Sequence, residues 1–210
     1  MKRMGAIAGV ALLLINAPAQ AWPAEEAPAT PGELSCDRTH YANIPATTPT
    51  PSDRFAFKSD GRIVIDRRTG LEWMRCSSGQ TWTMPEVDGQ PYCGGEALLY
   101  QSWGDALESA LVFNLMNAFP SSGSDYGTGW RLPNKNELES IVERSCFDPA
   151  INAALFPNTP STYFWTSSPY ARNPSEVWVV NSVDGEAITL DKSPSSGGRR
   201  VRLVRDSTPD

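Results

Sequence analysis

Val177-Trp178-Val179-Val180-Asn181-Ser182-Val183, then Asp184-Gly185, then Glu186-Ala187-Ile188-Thr189-Leu190-Asp191 is the stretch that decides the fold class. Both flanking runs favour extended backbone, being rich in β-branched side chains. Between them Asp-Gly supplies the positive φ that a tight hairpin turn demands. The spacing predicts strands over 177–183 and 186–191 joined by a two-residue turn. Upstream, Tyr163 to Ser168 is a candidate strand. Downstream, Arg200 to Arg205 alternates Val201 and Leu203 with arginines, the pattern of a half-buried final strand. From Pro160 onward the chain is therefore expected to form an antiparallel sheet.

Toward the N-terminus the period changes. Asn134 is a helix cap with Glu137 at the capping-box position, and Leu138, Ile141 and Val142 form its apolar stripe. Pro133 sets the entry angle. Ser102 caps a longer helix, with Asp105 three residues on. Trp103, Ala106, Leu107, Ala110, Leu111, Asn114, Leu115 and Ala118 fall on one face of it, the face predicted to be buried. Asp148-Pro149 predicts the start of a short third helix, since proline is favoured at the first helical position. Ile63 to Asp66 and Leu71 to Met74 flank Arg67-Arg68-Thr69-Gly70 and predict a second hairpin, with Gly70 free to take a positive φ. Hairpin, helices, then antiparallel sheet is an α+β order.

Met1 to Ala21 has the anatomy of a secretory signal: Lys2 and Arg3, an apolar core from Ala6 to Ile15, and Ala19-Gln20-Ala21 as a small-x-small cleavage site. The apolar run is short for a membrane span and no second one follows, so no transmembrane segment is expected after cleavage. About 190 residues would remain, enough for one domain with a real core. The expected organisation is a signal over 1–21, a Pro/Ala/Thr-rich arm over 22–54, and a folded domain over 55–206. Export, to the periplasm or the cell surface and beyond, places the four cysteines where thiols oxidise, and predicts two disulfides. Four cysteines allow three pairings. Cys76 and Cys93 bracket a short loop and are the favoured pair, which leaves Cys36 for Cys146 and ties the arm to the domain.

The whole chain carries a net charge of −6, which becomes more negative once Lys2 and Arg3 are cleaved. An acidic domain is not built to coat nucleic acid, so no nucleic-acid partner is expected. The terminal arginines 199, 200, 202 and 205 are expected on the solvated side of the last strand and its flanking loop. Chemistry is sparse. The single histidine, His40, lies in the arm and is a poor general base for any nucleophile. The cysteines form no Cys-x-x-Cys pair and phosphate-binding glycine loops are absent, so no catalytic residue, metal site or cofactor is predicted. Trp73, Trp103 and Trp130 sit in element patterns and are expected in the core. Trp165 and Trp178 lie on predicted strands of undetermined facing. Tyr170, Arg172 and Asn173 share a loop whose aromatic, guanidinium and amide groups suit ligand contact, sugar stacking among the options.

The blocks Gly70-Leu71-Glu72-Trp73-Met74-Arg75-Cys76-Ser77, Trp103-Gly104-Asp105-Ala106-Leu107 and Gly129-Trp130-Arg131-Leu132-Pro133-Asn134-Lys135-Asn136-Glu137-Leu138 occur in order. They are followed by Asp148-Pro149-Ala150-Ile151-Asn152, Phe156-Pro157-Asn158-Thr159, Tyr163-Phe164-Trp165-Thr166-Ser167-Ser168 and Val201-Arg202-Leu203-Val204-Arg205. Through them the region from Phe55 to Arg205 resembles the C-terminal domain of the Legionella collagen-like protein, in a cysteine-bearing subgroup. The Arg-Leu-Pro-x-x-x-Glu element and the terminal strand are also distantly similar to the sulfatase-modifying proteins, variants of the C-type-lectin fold. The resemblance implies a C-type-lectin-like α+β domain with two main helices packed on a twisted antiparallel sheet. The collagen-like relative is an adhesin that binds sulfated polysaccharides and trimerises. This chain has no Gly-x-y run and is acidic, and it lacks the active-site cysteine motifs of the sulfatase-modifying enzymes and the calcium motifs of sugar-binding lectins.

The expectation is a secreted, adhesin-like, non-enzymatic recognition domain for an extracellular carbohydrate or protein, its oligomeric state undetermined. Its contacts would come from Trp165, Tyr170, Arg172, Asn173, Trp178, Arg199 and Arg200. The alternatives are a carboxylate- or metal-dependent enzyme on the same fold, or a structural domain of a surface assembly.

Overall fold

The computed structural model describes residue 36 and residues 54–85, 91–118, 126–193 and 197–207. The expected signal, most of the arm and His40 lie outside them. Within them the fold is α+β. The hairpin around Gly70 forms as expected. Strand β1 (Phe55–Lys58), β2 (Ile63–Asp66) and β3 (Leu71–Met74) are antiparallel neighbours. Asp66 builds the turn: its carboxylate accepts from the Arg68 N–H and its carbonyl from the Gly70 N–H, with Gly70 at φ +68°. A small hairpin of β4 (Thr81–Thr83) and β5 (Tyr92–Gly94) follows. Then come α1 (Trp103–Asn117) and α2 (Lys135–Ser140), and the sheet of β6 (Tyr163–Pro169), β7 (Glu176–Asn181) and β8 (Ala187–Asp191). The last described strand, β9 (Val204–Asp206), pairs with β3, so it belongs to the first sheet and not to the C-terminal one. The sheet is thus not single: among the described residues there are three.

Period-two alternation explains how one chain builds two adjoining cores. Val64 of β2, Phe164 of β6 and Val180 of β7 point into a core with Trp73, Leu138, Ile141 and Phe156. Their sequence neighbours Ile63, Trp165 and Val179 point the other way, into a core with Ala106, Ala110, Trp130 and Val201. The β6–β8 sheet therefore has α2 on one face and α1 on the other. Cys36 is bonded to Cys146 and Cys76 to Cys93, the pairing favoured from the sequence. Among the described residues no helix is long and apolar enough to cross a membrane.

Four expectations need correction. Helix α1 begins at its Ser102–Asp105 capping box, but it buries only Ala106 and Ala110. Leu107 and Leu115 are exposed, Leu111 is 58 % exposed and Met116 69 %. The helix is apolar on more than one side, so helical spacing alone does not identify the face that meets the sheet. Helix α2 keeps its Asn134–Glu137 capping box but is only six residues long, so it is a single turn and a half and not a main helix. No helix starts at Asp148-Pro149. The Asp148 and Ala150 N–H groups donate to the carbonyls of Val183 and Ser182, which takes these amides out of local helical pairing. Finally, the β7–β8 turn is longer than two residues: the Asn181 N–H donates to Glu186 O and the Gly185 N–H to Asn181 O, with Gly185 at φ +77°.

Candidate functional site

The loop from Tyr170 to Ser175 is a closed local structure. The Tyr170 N–H donates to Glu176 O, and both ends of the Asn173 side-chain amide are engaged. Its Nδ2 donates to Glu176 Oε1 at 2.9 Å, and its Oδ1 accepts from the Ser175 N–H and hydroxyl. Asn173 therefore shapes the loop, and Arg172 is left exposed at its tip. Beside it, the Tyr170 and Trp178 rings meet edge to face, centroids 5.4 Å apart at 86°. Lys135 Nζ lies over the Trp178 ring, 5.1 Å from its centroid, and is also paired with Glu139 at 2.7 Å. The Thr166 hydroxyl donates to the Trp178 carbonyl at 2.7 Å. Trp178 is thus a half-buried ring on β7, the central strand of the β6–β8 sheet, held between Tyr170 and Lys135 beside the β6–β7 loop.

The other expected contact residues lie elsewhere. Trp165 is 1 % exposed, in the core, with its indole N–H donated to Tyr100 O at 3.1 Å. Nothing outside the fold can stack on it, so it leaves the contact set. Arg199 and Arg200 run along the edge of β6 away from β7, through the Trp165 N–H to Arg200 O bond. The Arg199 guanidinium packs against the Tyr163 and Trp165 rings. Arg200 donates to Ala97 O. The predicted set is therefore divided into a cluster beside the β6–β7 loop, a strand edge and a core residue.

The terminal arginines are not a solvated face. Arg202 is 1 % exposed. Its guanidinium sits near the Phe156 and Phe164 rings and donates to the carbonyls of Met74 and Arg75 and the hydroxyls of Ser77 and Thr159. Arg75 is buried beside it, donating to Leu155 O, Gly61 O and Ala154 O, and stacking on Phe57 and Trp82. Desolvation pushes both guanidinium groups down to about 9, and in Arg202 the Arg75 charge adds to it. At neutral pH both remain cations, held by neutral acceptors. Arg205 pairs with the buried Glu72 at 2.6 Å, which Lys58 also reaches at 2.9 Å, and lies 4.4 Å from the Trp130 ring centroid. Arg75 and Arg202 thus serve as internal scaffolding, while Arg67, Arg68, Arg144 and Arg172 stay exposed.

Residues 62–205 match the family model of the Lcl C-terminal domain. The chain belongs to that family. No curated protein matches it. In this Lcl C-terminal domain the matched span includes both hydrogen-bonded capping boxes, the buried arginines and the Tyr170–Trp178 ring pair.

Sequence reasoning missed the groove next to that ring pair. One wall is α2, with Lys135 and Glu139. The other is the β7–β8 turn, with Asp184 and Glu186. Arg144 and Trp178 complete it, around a volume of about 500 Å³. The walls meet because Gly185 lies against Val142, where a Cβ would overlap Val142 Cγ1. The Asp-Gly pair marks the turn in the sequence, but its approach to the end of α2 has no local signature. Among the described residues no three His, Cys, Asp or Glu side chains gather as a metal site.

Proposed function

We propose that this Lcl C-terminal domain is an exported, non-enzymatic recognition module that binds an extracellular carbohydrate or protein at the surface formed by Tyr170, Arg172 and Trp178. The observation that carries this reading is the Tyr170–Trp178 ring pair beside the β6–β7 loop. A large aromatic ring held half-exposed by its neighbours loses little freedom when a ligand covers it. Two disulfides support an oxidising location, and with it export by the N-terminal 21 residues. The reading includes a C-type-lectin-like class for the fold, supported by an antiparallel sheet with a helix against each face. The test is titration of the purified exported protein against glycans and extracellular-matrix proteins. Binding that weakens in Trp178→Ala is the expected result. No binding of any member up to millimolar concentration refutes the proposal.

A further inference from the structure

We infer that the groove between α2 and the β7–β8 turn takes an uncharged oligosaccharide, with Trp178 as its stacking platform. This rests on the recognition reading and names its ligand class. The groove is open to solvent, takes in about 500 Å³ and is lined mainly by charged side chains around one indole.

The charges select among ligands. A cationic group would seek the face of the indole. Lys135 Nζ already lies over that ring, 5.1 Å from its centroid, so an incoming cation meets a resident one. An anionic glycan meets three carboxylates, Glu139, Asp184 and Glu186, against two cations, Lys135 and Arg144. One of those cations is already neutralised, because Lys135 is paired with Glu139 at 2.7 Å. The groove therefore offers a polyanion no net attraction. An uncharged polyol brings no second charge to the ring, and it stacks by moving the Lys135 ammonium off the indole face toward its Glu139 partner. The polyol's C–H face can cover apolar ring surface, while its hydroxyls find carboxylate acceptors and ammonium or guanidinium donors within one small volume. Hydrogen bonds to charged partners are the stronger kind. The ring is positioned by the Tyr170 contact, and its strand by the Thr166 bond to the Trp178 carbonyl, so little ordering is left for the ligand to impose.

The experiment is calorimetric titration of the whole exported protein with neutral oligosaccharides and, separately, with sulfated and uronic ones and with extracellular-matrix proteins, in about 50 and about 500 mM NaCl. Trp178→Ala and Asp184→Asn are titrated alongside, with circular dichroism to check folding. The wild-type protein carrying fluorotryptophan is followed by fluorine NMR, so the result does not depend on any variant folding. Expected are binding of a neutral oligosaccharide that changes less than about twofold with salt, a loss of at least about tenfold in Trp178→Ala, and a shift of the Trp178 resonance. Binding confined to anionic glycans and abolished by salt overturns the inference and leaves the recognition reading standing. So does binding confined to a protein, or neutral binding that leaves the Trp178 resonance unmoved. Failure to bind anything overturns both.

Discussion

Replacing Gly185 by alanine tests how the groove is assembled. Gly185 has φ +77°, a region that disfavours a Cβ by about 1–2 kcal/mol. A Cβ there also overlaps Val142 Cγ1, with Val142 Cβ and Cγ2 at 3.5 Å. Valine is stiff at χ1 and half-buried against the first core, so it yields poorly. Overpacking of this kind costs about 1–3 kcal/mol. The sum is a loss of about 2–5 kcal/mol. A double-mutant cycle separates the parts: in a Val142→Ala background the collision disappears while the backbone cost remains. The same Gly185→Ala change should then cost only about 1–2 kcal/mol, giving a coupling of about 1–3 kcal/mol. Urea unfolding of the four proteins measures it. Gly185→Ala within about 0.5 kcal/mol of wild type, or equal losses in both backgrounds, would refute the claim that this contact joins the two walls.

Acid should weaken the fold through two carboxylates. Burial alone would raise Asp66, but the Arg54 hydrogen bonds and charge outweigh it, and the group lies below its ordinary 3.8. Glu137 behaves alike: burial opposes, Arg131 and the Asn134 N–H prevail, and it lies below 4.5. Both folded values are depressed, so their stabilisation is complete above the unfolded values and is lost as pH falls through the folded ones. The urea midpoint should drop below about pH 4.5, and less steeply in Asp66→Asn; an identical acid slope in that variant contradicts the assignment. The Arg202 guanidinium is predicted to stabilise the domain. Arg202→Met leaves the carbonyls and hydroxyls it serves with fewer partners, for an expected loss of about 2–4 kcal/mol, and Arg202→Lys should rescue little because ammonium lacks the planar fork. A Met variant as stable as wild type in urea would show that the buried charge contributes nothing.

Local physics was legible in the sequence. The capping boxes at Ser102 and Asn134 close as their residues require, because each bond spans only three positions. The turn at Gly70 and the burial of Trp73 and Trp130 follow from equally local patterns. What failed were assignments of facing. The helical spacing predicts Leu107, Leu111 and Leu115 on one buried face with Ala106 and Ala110, but they lie up to half a circle away from them, and the small residues meet the sheet while the large ones meet solvent. Arg202 alternates with valine and leucine like an outward residue, yet carbonyls more than a hundred positions away satisfy it inside the core. Trp165 and Trp178 come from adjacent strands of similar composition, and only the stacking of α1 and α2 on opposite faces buries one in the α1-side core and leaves the other half-buried beside α2.

By itself the sequence determined the α+β class, the family and the favoured bridging of its cysteines, since these depend on periodicity, ordered motifs and spacing. The tertiary structure alone decided that α2 and the β7–β8 turn form one groove beside Trp178. That groove exists because a glycine lets two segments some forty positions apart touch, and no local pattern encodes a contact between segments that are each content with their own hydrogen bonds.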